Sequence, residues 1–200
     1  MTGRERPVAD RGHPPRKPER LDPVVSGAAV ERAGDRVEAV VIRRPTFAFM
    51  RPRLSRWIAL GFGTGLAPIG PGTAGTALAW LLYALLAPVI TVPGMAVVTS
   101  AGFLVGLWAV RRAGFDLGDV DHSAIVWDEI VAFWLILLLI PQTSGPQLAA
   151  FVLFRVFDVW KPTPIREVEQ RLHTPLGVML DDLLASGYVL MMFLIWENFR

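Results

Sequence analysis

The side chains best equipped for chemistry in this chain are carboxylates, and they arrive in tight groups. Asp119, Asp121, Asp128 and Glu129 come first, then Asp158 between Arg155 and Lys161, then Asp181 and Asp182. The chain has no cysteine and three histidines, so an ion would meet oxygen ligands, which suits a hard cation such as Mg²⁺. One acid at a helix start is ordinary helix-terminus electrostatics. Four acids and a histidine within eleven residues exceed that need, and Asp181 and Asp182 repel one another unless a cation lies between them. Asp128, Glu129, Asp158, Asp181 and Asp182 are therefore the candidate metal ligands. If residues 121–129 are helical, Asp121 and Asp128 share a face. His122 reads either as a hydrogen-bonded structural residue or as a general acid or substrate ligand.

Arg155, Asp158 and Lys161 step along one side of a helix that Pro162 should stop. They form either a self-neutralising ion-pair ladder or a metal carboxylate flanked by two cations that grip phosphate oxygens. A further stretch, Gly61–Thr76 (GFGTGLAPIGPGTAGT), is rich in glycine. Such spacing permits either backbone N–H groups to approach an anion, at a helix starting near Thr73, or tight packing of membrane helices. It lacks Gly-Lys-Ser/Thr and a preceding strand, so it is neither a Walker loop nor a dinucleotide fingerprint. Gly72, Thr73, Arg155 and Lys161 are the candidate phosphate ligands. Carboxylates for an ion beside cations and N–H groups for a phosphate point to metal-assisted phosphoryl hydrolysis, with an ion-activated water as nucleophile.

The elements that must position these groups are apolar. No Asp, Glu, Lys or Arg occurs from Trp57 to Val110 or from Ile130 to Phe154, and 52% of the chain is hydrophobic. Runs of this kind predict an all-α integral membrane helical bundle. Apolar segments near Thr76–Leu86, Met95–Val110, Ile125–Ile140, Gln147–Trp160 and Leu183–Trp196 predict four to five helices, some short or re-entrant. Breakers at Pro88, Pro93–Gly94, Pro141 and Pro162 separate them. Five passes from a cytoplasmic start leave the uncharged links outside and bring every acidic group to the cytoplasmic face, as the positive-inside tendency asks.

Residues 1–53, rich in Pro, Arg and Gly, predict a disordered basic tail ahead of a membrane-embedded domain at 54–200. Residues 1–56 carry 13 Lys and Arg against 7 Asp and Glu, and residues 57–200 carry 7 against 11. No nucleic-acid partner is expected, because no aromatic-interleaved basic fold accompanies that charge. No secretory signal peptide is expected either, since Met1–Arg56 lacks an apolar core ahead of a cleavage site. The sequence carries no signal for an oligomeric state.

Four stretches together resemble the phosphatidylglycerophosphatase A family: Gly61–Thr76, Asp121–Glu129 (DHSAIVWDE), Phe154–Ile165 (FRVFDVWKPTPI) and Gly177–Asp182 (GVMLDD). They stand in family order with family-like spacing. Two positions depart from the family pattern, Glu169 where Asp is expected and Ser186 where Gly is usual. The resemblance implies a multi-pass, Mg²⁺-dependent lipid phosphatase of the cytoplasmic membrane. It would convert phosphatidylglycerophosphate, its phospholipid substrate, to phosphatidylglycerol and phosphate. On that reading Asp128, Glu129, Asp158, Asp181 and Asp182 supply the metal ligands, and Asp121 orients the water or joins them. Arg155, Lys161 and the glycine stretch hold the phosphate, and His122 protonates or orients the leaving group. Cysteine-based phosphatase chemistry is excluded outright, and no Pro-Ser-Gly-His signature of the histidine-nucleophile lipid phosphatases is present. The alternative from another class is a cation- or proton-coupled transporter using the same carboxylates. Acids gathered at helix ends and the lack of an internal repeat argue against it.

Overall fold

The computed structural model describes residue 42 and residues 44–163, 165–167 and 172–199. Most of the expected tail and Glu169 lie outside these residues. No strand occurs among the described residues. The elements are α1 Phe47–Met50, α2 Leu54–Ala59, a 3₁₀ segment Gly61–Leu66, α3 Pro71–Leu86, α4 Val92–Leu117, α5 Trp127–Leu139, α6 Ser144–Trp160 and α7 Pro175–Asn198.

Local chemistry sets the ends of these helices. Pro71 opens α3 at a position where a missing N–H costs nothing. Thr91 caps α4 by accepting from the Gly94 N–H at 3.3 Å, and Gly118 closes it in the left-handed region. Thr174 does the same for α7, accepting from Gly177 N–H at 3.1 Å with Pro175 next in line. Three expectations change as a result. α4 runs on past Val110 through Arg111 and Arg112, because nothing breaks it before Gly118. α7 starts at Pro175, so Asp181 and Asp182 lie in its second turn rather than at the mouth of an apolar helix. Residues 119–126 form turns, so Asp121 and Asp128 do not share a helix face. There Asp119 bends the chain by accepting the Asp121 N–H at 3.0 Å.

α5 is the hub. It is apolar on all sides, and α3, α4, α6 and α7 all pack on it. Its tryptophans act as ties, Trp127 Nε1–H donating to the Gly102 carbonyl of α4 and Trp134 Nε1–H to the Ala79 carbonyl of α3, each at 2.9 Å. The glycine stretch supplies close packing at this hub. Gly61 and Gly75 both lie against Val126, and a Cβ at Gly65 would collide with the Ala124 carbonyl oxygen.

Among the described residues, α4 and α7 are long and apolar enough to cross a membrane. Their apolar side chains are largely bare: Val97 and Leu104 are 69% and 67% exposed, and Leu194 68%. An exposed apolar surface of this kind belongs in lipid rather than in water, and the chain associates with a membrane. α3, α5 and α6 are shorter than the roughly 20 residues of a typical span.

Gly65→Ala is expected to destabilise the fold by about 1–3 kcal/mol through overpacking. Gly187→Ala, with open space around its Cβ position, should not. Thermal unfolding in detergent reads the difference.

Candidate active site

The alternating helices bring one end of α3, α4, α5, α6 and α7 together around a cavity of about 340 Å³. Its walls come from the first turn of α3, the α4–α5 loop, the start of α5, the end of α6 and the start of α7. Asp128 and Glu129 enter from α5 and Asp182 from α7, and ligand oxygens of the three lie within 4.8 Å of one another. Asp128 Oδ1, Glu129 Oε2 and Asp182 Oδ2 are buried with no hydrogen-bond partner. Asp158 reaches the same cluster from α6 and stands against Asp182. Buried carboxylates this close repel, and orphaned buried oxygens are rare in native proteins. An all-oxygen set with three open positions fits a hard divalent cation.

Asp181 is placed differently. Successive helical residues diverge by about 100°, and Asp181 turns toward Lys161, with Nζ and Oδ2 3.9 Å apart. It lines the cavity beside the three-carboxylate cluster rather than within it. The two adjacent acids thus point to different parts of the cavity wall.

Two cations balance the acids. Arg155 Nη1 lies 2.8 Å from Asp158 and 3.7 Å from Glu129. Lys161 follows the end of α6 with φ +46°, a left-handed conformation that costs a non-glycine residue of order 1–2 kcal/mol. Pro162 allows no continuation of the helix, and the strained turn carries Lys161 onto the cavity wall.

The glycine stretch divides between the two readings of it. Gly61, Gly65 and Gly75 serve packing, whereas Gly72 faces the site. A Cβ at Gly72 would collide with Glu129 Oε1 and stand within 3.0 Å of both Arg155 Nη atoms, so only glycine lets the α3 N-terminus approach that pair. Thr73 is exposed and does not line the cavity, which leaves its side chain outside the expected phosphate site. Thr76, given no role from sequence, donates its hydroxyl to the Gly72 carbonyl at 2.9 Å and secures that turn. A threonine four residues after a glycine at a helix start is the signal that could have found it.

Asp121 is exposed on the cavity rim. His122 is buried with both ring nitrogens engaged by backbone. Nδ1 accepts the Ala124 N–H at 3.0 Å, so Nε2 carries the proton and donates it to the Ile42 carbonyl at 2.7 Å. Both ring nitrogens thus face backbone partners, an arrangement in keeping with the hydrogen-bonded reading of His122.

A family profile described as phosphatidylglycerophosphatase A matches residues 57–197. The chain belongs to the phosphatidylglycerophosphatase A family. It is 38% identical over 141 residues to the phosphatidylglycerophosphatase A of Escherichia coli, covering 64% of this chain and 75% of the relative. The Haemophilus influenzae protein of the same name is 40% identical over 132 residues, covering 66% and 81%. A Bacteroides thetaiotaomicron protein, provisionally named a phosphatidylinositol-3-phosphatase, is 36% identical over 156 residues, covering 74% and 92%. No solved structure matches. The match to the phosphatidylglycerophosphatase A profile takes in Asp128, Glu129, Asp158, Asp182, both cations and Gly72.

Gly72→Ala is expected to lower turnover about tenfold or more by displacing Glu129 and Arg155. Gly145→Ala, with nothing within 4 Å, should leave turnover unchanged. Steady-state kinetics of the two purified variants compare them.

Proposed function

We propose that this protein is a Mg²⁺-dependent phosphatidylglycerophosphatase, releasing phosphate from phosphatidylglycerophosphate to leave phosphatidylglycerol. The observation that carries the reading is the cluster of three orphaned carboxylate oxygens facing Arg155 and the α3 N-terminus across one cavity. Family membership supplies the lipid, and it sets aside the transporter reading of the same acids.

Asp128, Glu129 and Asp182 would hold the ion, with Asp158 beside them. Such an ion supplies Lewis acidity toward phosphate oxygens and water. Arg155 and Lys161 would neutralise the phosphate oxygens from the α6 side, while the N–H groups of the first α3 turn, at Gly72, meet them from the other. Asp121, exposed at the rim, would orient a water entering from solvent. Val159 and Trp160, 75% and 65% exposed beside the mouth, suit the apolar body of a lipid whose phosphate enters the cavity.

The charged groups at this end of the helices and the uncharged links Ala87–Gly94 and Pro141–Pro146 at the other support a multi-pass orientation. The site would then face the cytoplasm from the cytoplasmic membrane. A second substrate reading rests on the Bacteroides thetaiotaomicron relative, whose name specifies an inositol lipid phosphate.

Phosphate release by purified protein should require Mg²⁺, stop with excess EDTA, and be confined to phosphatidylglycerophosphate among parallel assays with phosphatidic acid and phosphatidylinositol 3-phosphate. Preference for the inositol lipid would replace the substrate, and release undiminished by EDTA would remove the ion. Asp128→Asn, Asp158→Asn and Asp182→Asn should each cost on the order of a hundredfold in turnover. Full activity in any two of them would dismiss the cluster as the catalytic centre.

A further inference from the structure

The α4–α5 loop, residues 118–126, carries Asp121 on the cavity rim, and turns rather than helix or strand hold it in place. What fixes it is a backbone strap. Ile42 donates its N–H to the Leu117 carbonyl at 2.9 Å, where the loop leaves α4. Its own carbonyl receives the Nε2–H of His122 at 2.7 Å. The same ring, through Nδ1, accepts the Ala124 N–H at 3.0 Å, and the His122 carbonyl accepts the Ile125 N–H at 2.8 Å. One imidazole thus joins two stretches of backbone, Ile42 and the α4–α5 loop, eighty residues apart. Beyond it the loop rests on Gly65, where only a hydrogen fits against the Ala124 carbonyl.

We propose that His122 is a positioning residue that clasps the backbone of Ile42 to the α4–α5 loop and thereby holds Asp121 at the rim of the carboxylate site. The proposal rests on the reading of that site as the phosphatase centre. It takes His122 out of the proton-transfer chemistry and gives Ile42 a direct mechanical link to the site. A neutral ring serves this purpose well. Its one proton and one lone pair are each matched to a fixed backbone partner, a pairing that neither a carboxylate nor an ammonium provides.

The test uses the full-length protein and four variants, His122→Ala, His122→Gln, Ile42→Pro and Ile42→Ala. Each is read by kcat and KM on phosphatidylglycerophosphate and by amide hydrogen exchange in residues 118–126. His122→Ala should lower kcat about ten- to a hundredfold, as misplacement of a site group does, with KM little changed. It should also speed loop exchange about tenfold or more, a readout that needs no substrate. His122→Gln, whose side-chain amide can donate to the Ile42 carbonyl, should stay within about fivefold of the parent in both readouts. Ile42→Pro removes the N–H that bonds Leu117 and should loosen the loop as His122→Ala does, whereas Ile42→Ala keeps both backbone bonds and should not. The double variant His122→Ala with Ile42→Pro should be little worse than either alone, since both break one strap.

A His122→Gln variant with loop exchange unchanged and kcat down by about 10²- to 10⁴-fold, as for a lost general acid, would overturn the proposal. Parent-like exchange and kcat in His122→Ala would overturn it as well. If His122→Ala fails to fold, His122→Gln against Ile42→Pro makes the same comparison. Should the parent protein release no phosphate from the lipid, the functional reading fails, while loop exchange still decides the clasp.

Discussion

Ligand oxygens of Asp128, Glu129 and Asp182 lie within 4.8 Å of one another on the wall of a cavity, each residue with a buried oxygen that no hydrogen bond satisfies among the described residues. Removing such groups from water costs several kcal/mol per ion, and their mutual repulsion adds to it. The rest of the architecture reads as the means of tolerating this arrangement. Arg155 offsets part of the negative charge directly, and Lys161 stands opposite Asp181 on the same wall. What remains is an oxygen-lined position that asks for a cation. The Trp127 and Trp134 ties fix α5, which carries Asp128 and Glu129, against α4 and α3.

Space at the site is controlled as tightly as charge. Gly72 lets a helix N-terminus reach the Glu129–Arg155 pair, and Gly65 lets the loop bearing Asp121 rest on the 3₁₀ segment. At the same end of the molecule, Arg53 and Arg56 bind Asp116 at 3.0 and 2.9 Å, which fixes α2 to the last turn of α4. Arg56 also lies over the Phe49 ring and donates to its carbonyl, tying α1 into the same corner. A positive, well-anchored corner beside an acidic cavity suits a protein that works on phosphate at a membrane surface.

Much of this was legible in the sequence because charge in an apolar chain is conspicuous. Asp128, Glu129, Asp158 and Asp182 stood out by type and place, and so did Arg155 and Lys161. The helical character and the one-sided distribution of acids followed from the long uncharged runs. What could not be read depended on direction rather than composition. Adjacent Asp181 and Asp182 look equivalent until the helix start at Pro175 sets where each one points. The glycines look alike until their neighbours separate Gly72 from Gly61, Gly65 and Gly75. His122 looked available for proton transfer because its two backbone partners, one of them eighty residues away, are invisible to local pattern. Thr73, exposed beside the cavity rather than in it, shows the same limit on reading a side chain from its position alone.

The most direct test of this account is equilibrium binding of Mn²⁺, a hard-ion surrogate for Mg²⁺ with a magnetic signal, to the substrate-free protein and to Asp182→Asn. Saturable binding that is competed by Mg²⁺ and lost in the variant is the expected result. Binding that is absent from the parent protein, or equal in both, would contradict the claim that these carboxylates are gathered to hold a cation.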